Sequence, residues 1–189
     1  VVAVSFICMY WRHMVELLAA GIQVFGKFLY LCVWAKTNGG MGSLYRSQHE
    51  LVFVFRKGQA RHRNNIQLGR FGRNRTNLWT YAGVNTFREG RMEDLRAHPT
   101  AKPVAMIRDA LLDVTQRGDG VLDLFMGSGS IVMAAEQCGR IAYGMDIDPA
   151  YVDVILRRWS KQTGEEPIRL NDNTPLSHLE CQLDQEAIA

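Results

Sequence analysis

One stretch limits the fold more than any other. Residues 120–125 (Gly-Val-Leu-Asp-Leu-Phe) form a short apolar run, Met126-Gly127-Ser128-Gly129 follows, and residues 130–138 then carry apolar side chains at helical spacing up to Gly139. A second apolar run, 141–146, leads to a second helical pattern, 149–162, with Gly164 behind it. Strand, helix, strand, helix in about 40 residues is a βαβα unit, which requires parallel strands and right-handed crossovers. Glycines at the first strand-to-helix turn let the backbone bend sharply and approach a ligand. The helix start behind them offers unpaired N–H groups and the positive end of the helix dipole. Asp146 ends the second strand, 19 residues after Gly127, where an acid can accept both hydroxyls of a ribose. The pattern specifies an adenosine-type cofactor. It is not a dinucleotide fingerprint, because Val132 stands where a third glycine or alanine belongs, and no glycine-rich loop ends in Lys-Ser or Lys-Thr.

The first half reads differently. Residues 1–10 and 28–35 have the β-branched and aromatic content of strands, and 51–55 is a third strand. Residues 12–20 suggest a helix stopped by Gly21. Residues 36–47 form a glycine-containing loop, so the second and third strands are expected to pair antiparallel at a sheet edge. Residues 103–115 form a helix opened by Pro103, and residues 168–170 a short strand ahead of a polar, frayed tail. With 189 residues there is room for one α/β domain and a small appendage. No apolar run approaches the ~18 residues of a membrane-spanning helix. Cys8, Cys32, Cys138 and Cys181 form no CxxC pair or Cys/His cluster, which argues against a metal site or disulfide framework and suits a reducing cytoplasm.

Charge is uneven. Residues 51–88 contain no Asp or Glu and carry a local charge of +8, whereas 165–189 carry −5. A solvated basic loop is the plain reading of such a run. Interleaved Asn64, Asn65, Gln67, Asn74, Asn77, Trp79 and Tyr81 favour a polyanion, since amides read adenine edges and aromatics stack on bases. Arg61, Arg63, Arg70, Arg73, Arg75, Asn77 and Trp79 are the candidate nucleic-acid contacts. Trp34 and Trp159 read as packing residues. His49 reads as structural, Glu50 as a satisfied or solvent-facing carboxylate, and Lys102, on composition alone, as a surface lysine.

These residues resemble a known family. Residues 121–130 are similar to the S-adenosylmethionine motif of DNA amino-methyltransferases, which methylate adenine N6 or cytosine N4, and residues 143–151 resemble that family's next motif. His98-Pro-Thr-Ala-Lys-Pro103 resembles the segment just upstream, and residues 31–36 and 49–58 the strands that follow the family's catalytic motif. The resemblance covers residues 1–162. It implies a Rossmann-like methyltransferase sheet, mostly parallel with an antiparallel edge hairpin, and S-adenosyl-L-methionine as cofactor. Thr100, Lys102, Pro103, Asp123, Phe125, Gly127, Ser128, Gly129 and Asp146 would hold it. Duplex DNA would be the partner, with no metal and no membrane. The implied organisation is a catalytic-side half-sheet (1–57), a recognition insertion (58–97), a cofactor half (98–170) and an acidic tail (171–189).

The family's Asp/Asn/Ser-Pro-Pro-aromatic loop accepts hydrogens from the target amine and stacks on the flipped base. The sequence contains no Pro-Pro pair. Asp148-Pro149-Ala150-Tyr151 is only a superficial likeness in the cofactor half. No catalytic residue is therefore assigned, and a central strand beside 121–125 is expected to be wanting. The chain, which begins inside an apolar run, is expected to be a truncated product, unstable or inactive alone. The expected activity is adenine-N6 methylation of duplex DNA. Cytosine-N4 methylation, a non-catalytic cofactor- and DNA-binding fragment, and a methyltransferase acting on RNA or a small molecule remain as alternatives.

Overall fold

The computed structural model describes residues 2–83 and 101–181. Strand β1 (Ala3–Met9) leads through a 3-10 turn into α1 (Met14–Phe25), followed by β2 (Lys27–Ala35) and β3 (His49–Lys57). β3 lies between β1 and β2 and is antiparallel to both. The expected antiparallel pair is present, but β3 is interior rather than marginal. Its run Leu51-Val-Phe-Val-Phe55 is buried throughout, because the strand is covered on both faces. Leu51, Phe53 and Phe55 pack against Leu17, Leu18 and Phe25 of α1. Val52 and Val54 pack with Trp34, Trp79, Met106 and Ala110 on the other face.

Helix α1 does not stop at Gly21. It continues to Phe25 and ends at Gly26, whose φ of +93° a side chain would oppose. Gly21 is instead where the helix meets β3. A Cβ there would lie 2.2 Å from the Phe55 ring, so glycine lets the helix seat on the sheet. A three-residue strand, β4 (Leu78–Thr80), pairs in parallel with the outer edge of β2.

Helix α2 (Val104–Val114) joins the two halves. Met106 and Ala110 belong to the first core, while Leu111, Val104 and Ile107 pack toward α3 (Ser130–Cys138) and Val121. The second half is β5 (Gly120–Asp123), α3, β6 (Ile141–Gly144) and α4 (Pro149–Thr163), with β5 and β6 parallel. Asp148 caps α4 by accepting from the Ala150 N–H at 2.9 Å, with Pro149 in the first turn. Val121 and Ala142 face the helices, whereas Leu122, Ile141 and Tyr143 lie on an exposed face.

Among the described residues β1 pairs only with β3, and β5 only with β6. Among these residues the β1-β3-β2-β4 and β5-β6 ladders are separate, and the α/β fold is mixed, with parallel and antiparallel pairs. β7 (Ile168–Arg169) pairs with β8 (Thr174–Pro175) as a separate hairpin. The tail is less frayed than expected as far as residue 181. The Arg157 Nε–Glu180 Oε1 pair at 2.7 Å ties it to α4.

Candidate functional site

The glycine turn is held from three sides. Below it, the loops after β5 and β6 are stitched together: Met145 N–H donates to the Asp123 carbonyl at 3.2 Å, and Met126 N–H to the Met145 carbonyl at 3.3 Å. The Asp123 carboxylate accepts from the Phe125 N–H at 3.0 Å and fixes the first bend. Gly127 and Gly129 have φ of +50° and +74°. Behind the turn, a Cβ on Gly129 would lie 2.6 Å from Ile155 of α4, and Arg158 donates to the Ser128 carbonyl. The side chains of Ser128 and Ser130 are buried within the turn. In front, Phe125 is 89% exposed.

Asp146 closes the arrangement. Its Oδ2 accepts from the Gly127 N–H at 2.7 Å, and its Oδ1 from the Asp148 N–H at 3.1 Å. The 19-residue spacing therefore brings the acid onto the glycine turn itself. Two backbone N–H groups thus orient the Asp146 carboxylate.

At the other edge stands Pro103, the N-cap of α2. Lys102 Nζ lies 3.1 Å from Glu50 Oε1, and Lys36 Nζ lies 3.2 Å from Glu50 Oε2. Glu50 is thus a shared counter-ion for two ammonium groups, linking β3 to the start of α2. From sequence it reads as merely satisfied, and no spacing within the chain signals that its partners lie 14 and 52 residues away. Burial pushes the Cys8 thiol up to about 11, with the Lys102 charge opposing the shift. Thr100, His98 and Arg88 lie outside the described residues.

The basic segment divides. Arg61, Arg63 and Arg70 are exposed, and Arg70 also donates to Gln67 Oε1 at 3.1 Å. Arg73, likewise exposed, donates to the Asn65 carbonyl at 2.6 Å and lies over the Phe71 ring. Arg75 pairs with Asp113 at 2.6 Å and stacks on Trp79. Asn77 donates its side-chain amide to the Leu31 carbonyl at 2.9 Å, bonding β4's approach to β2. Trp79 is 6% exposed and packs 6.1 Å from Phe6. As a base-stacking residue it is therefore corrected: its ring belongs to the core, because β4 adds to β2 and turns that ring inward. Tyr81 donates its hydroxyl to Asp109 Oδ2 at 2.7 Å and accepts from Trp34 Nε1 through its carbonyl. Among the described residues no group of three or more His, Cys, Asp or Glu could hold a metal ion, and no helix is long and apolar enough to cross a membrane.

Comparison with known proteins meets this geometry. The DNA methylase model of the N6/N4 methyltransferase family matches residues 3–157, and the chain belongs to that family. A Citrobacter freundii relative, Type II methyltransferase M.Cfr9I, is 32% identical over 158 residues, covering 78% of this chain and 48% of the relative. Among solved structures, the M1.HpyAVI-SAM complex superposes with a TM-score of 0.64 at 21% identity, covering 82% of this chain and 74% of that one. The cytosine-N4-specific PvuII DNA methyltransferase gives 0.66 at 17% identity, covering 84% and 63%. The chain spans about half the length of the curated relatives it matches first.

Proposed function

We propose that this chain carries the cofactor-binding and DNA-recognition parts of an S-adenosylmethionine-dependent DNA amino-methyltransferase, with adenine N6 as the target amine. The observation that carries the reading is the 2.7 Å bond from the Gly127 N–H to Asp146, which brings the acid that follows the second strand onto the glycine turn. The residues fit the cofactor. The positive φ of Gly127 and Gly129 gives the tight turn, and the Asp146 carboxylate is pre-oriented by two backbone donors. The M1.HpyAVI-SAM complex shares the fold.

When bound, the cofactor supplies an electrophilic methyl group on a sulfonium. The chain's residues would do the rest. Asp146 would accept from the ribose hydroxyls, and Gly127, Ser128 and Gly129 would let the backbone lie against the nucleoside. Phe125, exposed beside the turn, would cover its ring. Lys102, held beside Pro103 by Glu50, would meet a ligand carboxylate at that end. Arg61, Arg63 and Arg70 would meet DNA phosphates. Positioning does most of the work in a direct methyl transfer. The Pro-Pro loop that would orient the amine does not occur in this sequence, so turnover by the chain alone is expected to be low.

The test is a two-part measurement. Calorimetry should show S-adenosylmethionine binding with no comparable uptake of NAD or ATP. Incubation with methyl-tritiated cofactor and unmethylated duplex, followed by nucleoside chromatography, should place whatever label is transferred in N6-methyladenine. Label in N4-methylcytosine would overturn the adenine assignment, and absence of cofactor binding would overturn the reading as a whole.

A further inference from the structure

The basic segment is fastened to β2 through Asn77 and β4, and a second time at the C-terminal end of α2. The last carbonyls of a helix have no partner within it. Here residues from the segment take them. Asn65 donates its side-chain amide to Leu112 O at 2.8 Å and to Thr115 O at 2.7 Å, and its backbone N–H to Asp113 O at 2.9 Å. Arg75 adds the 2.6 Å pair to the Asp113 carboxylate, and Arg73 donates back to the Asn65 carbonyl. From the other side, Arg140 ahead of β6 donates to Thr115 O and Thr115 Oγ1. The helix capped by Pro103 thus ends in a clamp made by the recognition segment and the cofactor half together.

This arrangement separates the arginines by task. Arg75 is half-buried, stacked on a core tryptophan and neutralised by Asp113. Arg61, Arg63 and Arg70 stand in solvent, with Arg70 bonded to the neighbouring Gln67. We infer that Asn65 and Arg75 are positioning residues for DNA recognition: they dock the basic segment on α2 and set where Arg61, Arg63 and Arg70 stand, without themselves touching DNA. The inference rests on the proposed function and assigns a role that charge alone would give differently, since Arg75 would otherwise be counted as a phosphate contact.

Salt dependence and a charge substitution tell the two roles apart. Removing an arginine that neutralises a phosphate lowers the slope of log affinity against log salt by about 0.9, whereas removing a positioning bond weakens binding at unchanged slope. Asp113→Asn removes a negative charge and with it the ion pair that ties Arg75 to α2. If Arg75 contacted DNA, this variant would bind more tightly. The docking role requires it to bind more weakly.

The experiment measures binding of a fluorescent random-sequence duplex across a salt series for the full chain and for Asn65→Ala and Asp113→Asn. Circular dichroism checks the fold. Asn65→Ala is the uncharged control: it keeps the backbone bond to Asp113 and loses both side-chain bonds. Each variant is expected to bind about tenfold more weakly with the wild-type slope. Tighter binding by Asp113→Asn, unchanged affinity in Asn65→Ala, or a slope reduced by about one would each overturn the proposal. Amide exchange over residues 61–81 distinguishes the two levels of failure. A wild-type chain that ignores DNA while Asn65→Ala still speeds exchange there would refute the DNA reading but keep the docking. Unchanged exchange would refute the docking.

Discussion

Replacing Asp146 with asparagine isolates what its charge contributes. The side chain keeps its shape but offers one carbonyl oxygen where two carboxylate oxygens now accept from the Gly127 and Asp148 N–H groups. One of those donors must then face an NH2 group. A hydrogen bond to a charged acceptor contributes roughly 1.5–3 kcal/mol, so the corner loses about that much order, and a ribose hydroxyl loses its anionic acceptor. Converted to affinity, S-adenosylmethionine should bind about 10- to 150-fold more weakly. Calorimetry on the variant, shown folded by circular dichroism, is the assay, repeated with S-adenosylhomocysteine. That ligand has no sulfonium charge, so an equal loss places the effect at the nucleoside end. Binding of Asp146→Asn within about threefold of wild type would refute the reasoning. So would a loss confined to the charged ligand.

Four further outcomes follow from the same structure. Gly21→Ala should destabilise the fold by about 1–3 kcal/mol in urea unfolding, because its Cβ meets a fully buried Phe55 ring; an unchanged midpoint would mean that α1 does not seat there. Gly129→Ala combines strain at positive φ with a clash against Ile155, so it should weaken both stability and cofactor binding, while Ile155→Ala in the same chain should restore part of the stability. Burial pushes the Cys32 thiol up to about 11 from the usual 9.0, so its contribution to stability is complete below pH 9 and is lost as pH rises toward 11. Between about pH 8 and 10 the loss should be about 1 kcal/mol, and Cys32→Ala should flatten it by that amount. The combined Arg61→Ala, Arg63→Ala, Arg70→Ala chain should bind duplex with a salt slope smaller by roughly 3; an unchanged slope would place the phosphates elsewhere.

The βαβα half was legible because its signals are local. Residues 120–164 carry their strand, glycine turn, helix and stop within one βαβα unit, and the observed elements match them to within a few residues. The misreadings lie where tertiary packing decides. Gly21 looks like a helix stop, but it marks a close approach to Phe55, which lies 34 residues away. Trp79 looks like a base stacker in a polar segment, yet three residues of strand turn it into the core. The pairing of Arg75 with Asp113 and of Glu50 with two lysines joins segments that no periodicity connects. The charge pattern marks the basic segment but carries no sign of which arginines are already engaged.

In the proposed cofactor site, residues 123–129 and Asp146 surround the nucleoside of S-adenosylmethionine. Ultraviolet crosslinking of methyl-tritiated S-adenosylmethionine to the chain, followed by peptide mapping, addresses it directly. The account predicts label on the peptide spanning the glycine turn, suppressed by excess S-adenosylhomocysteine and by Asp146→Asn. Label confined to other peptides, or label that excess S-adenosylhomocysteine leaves in place, would contradict it.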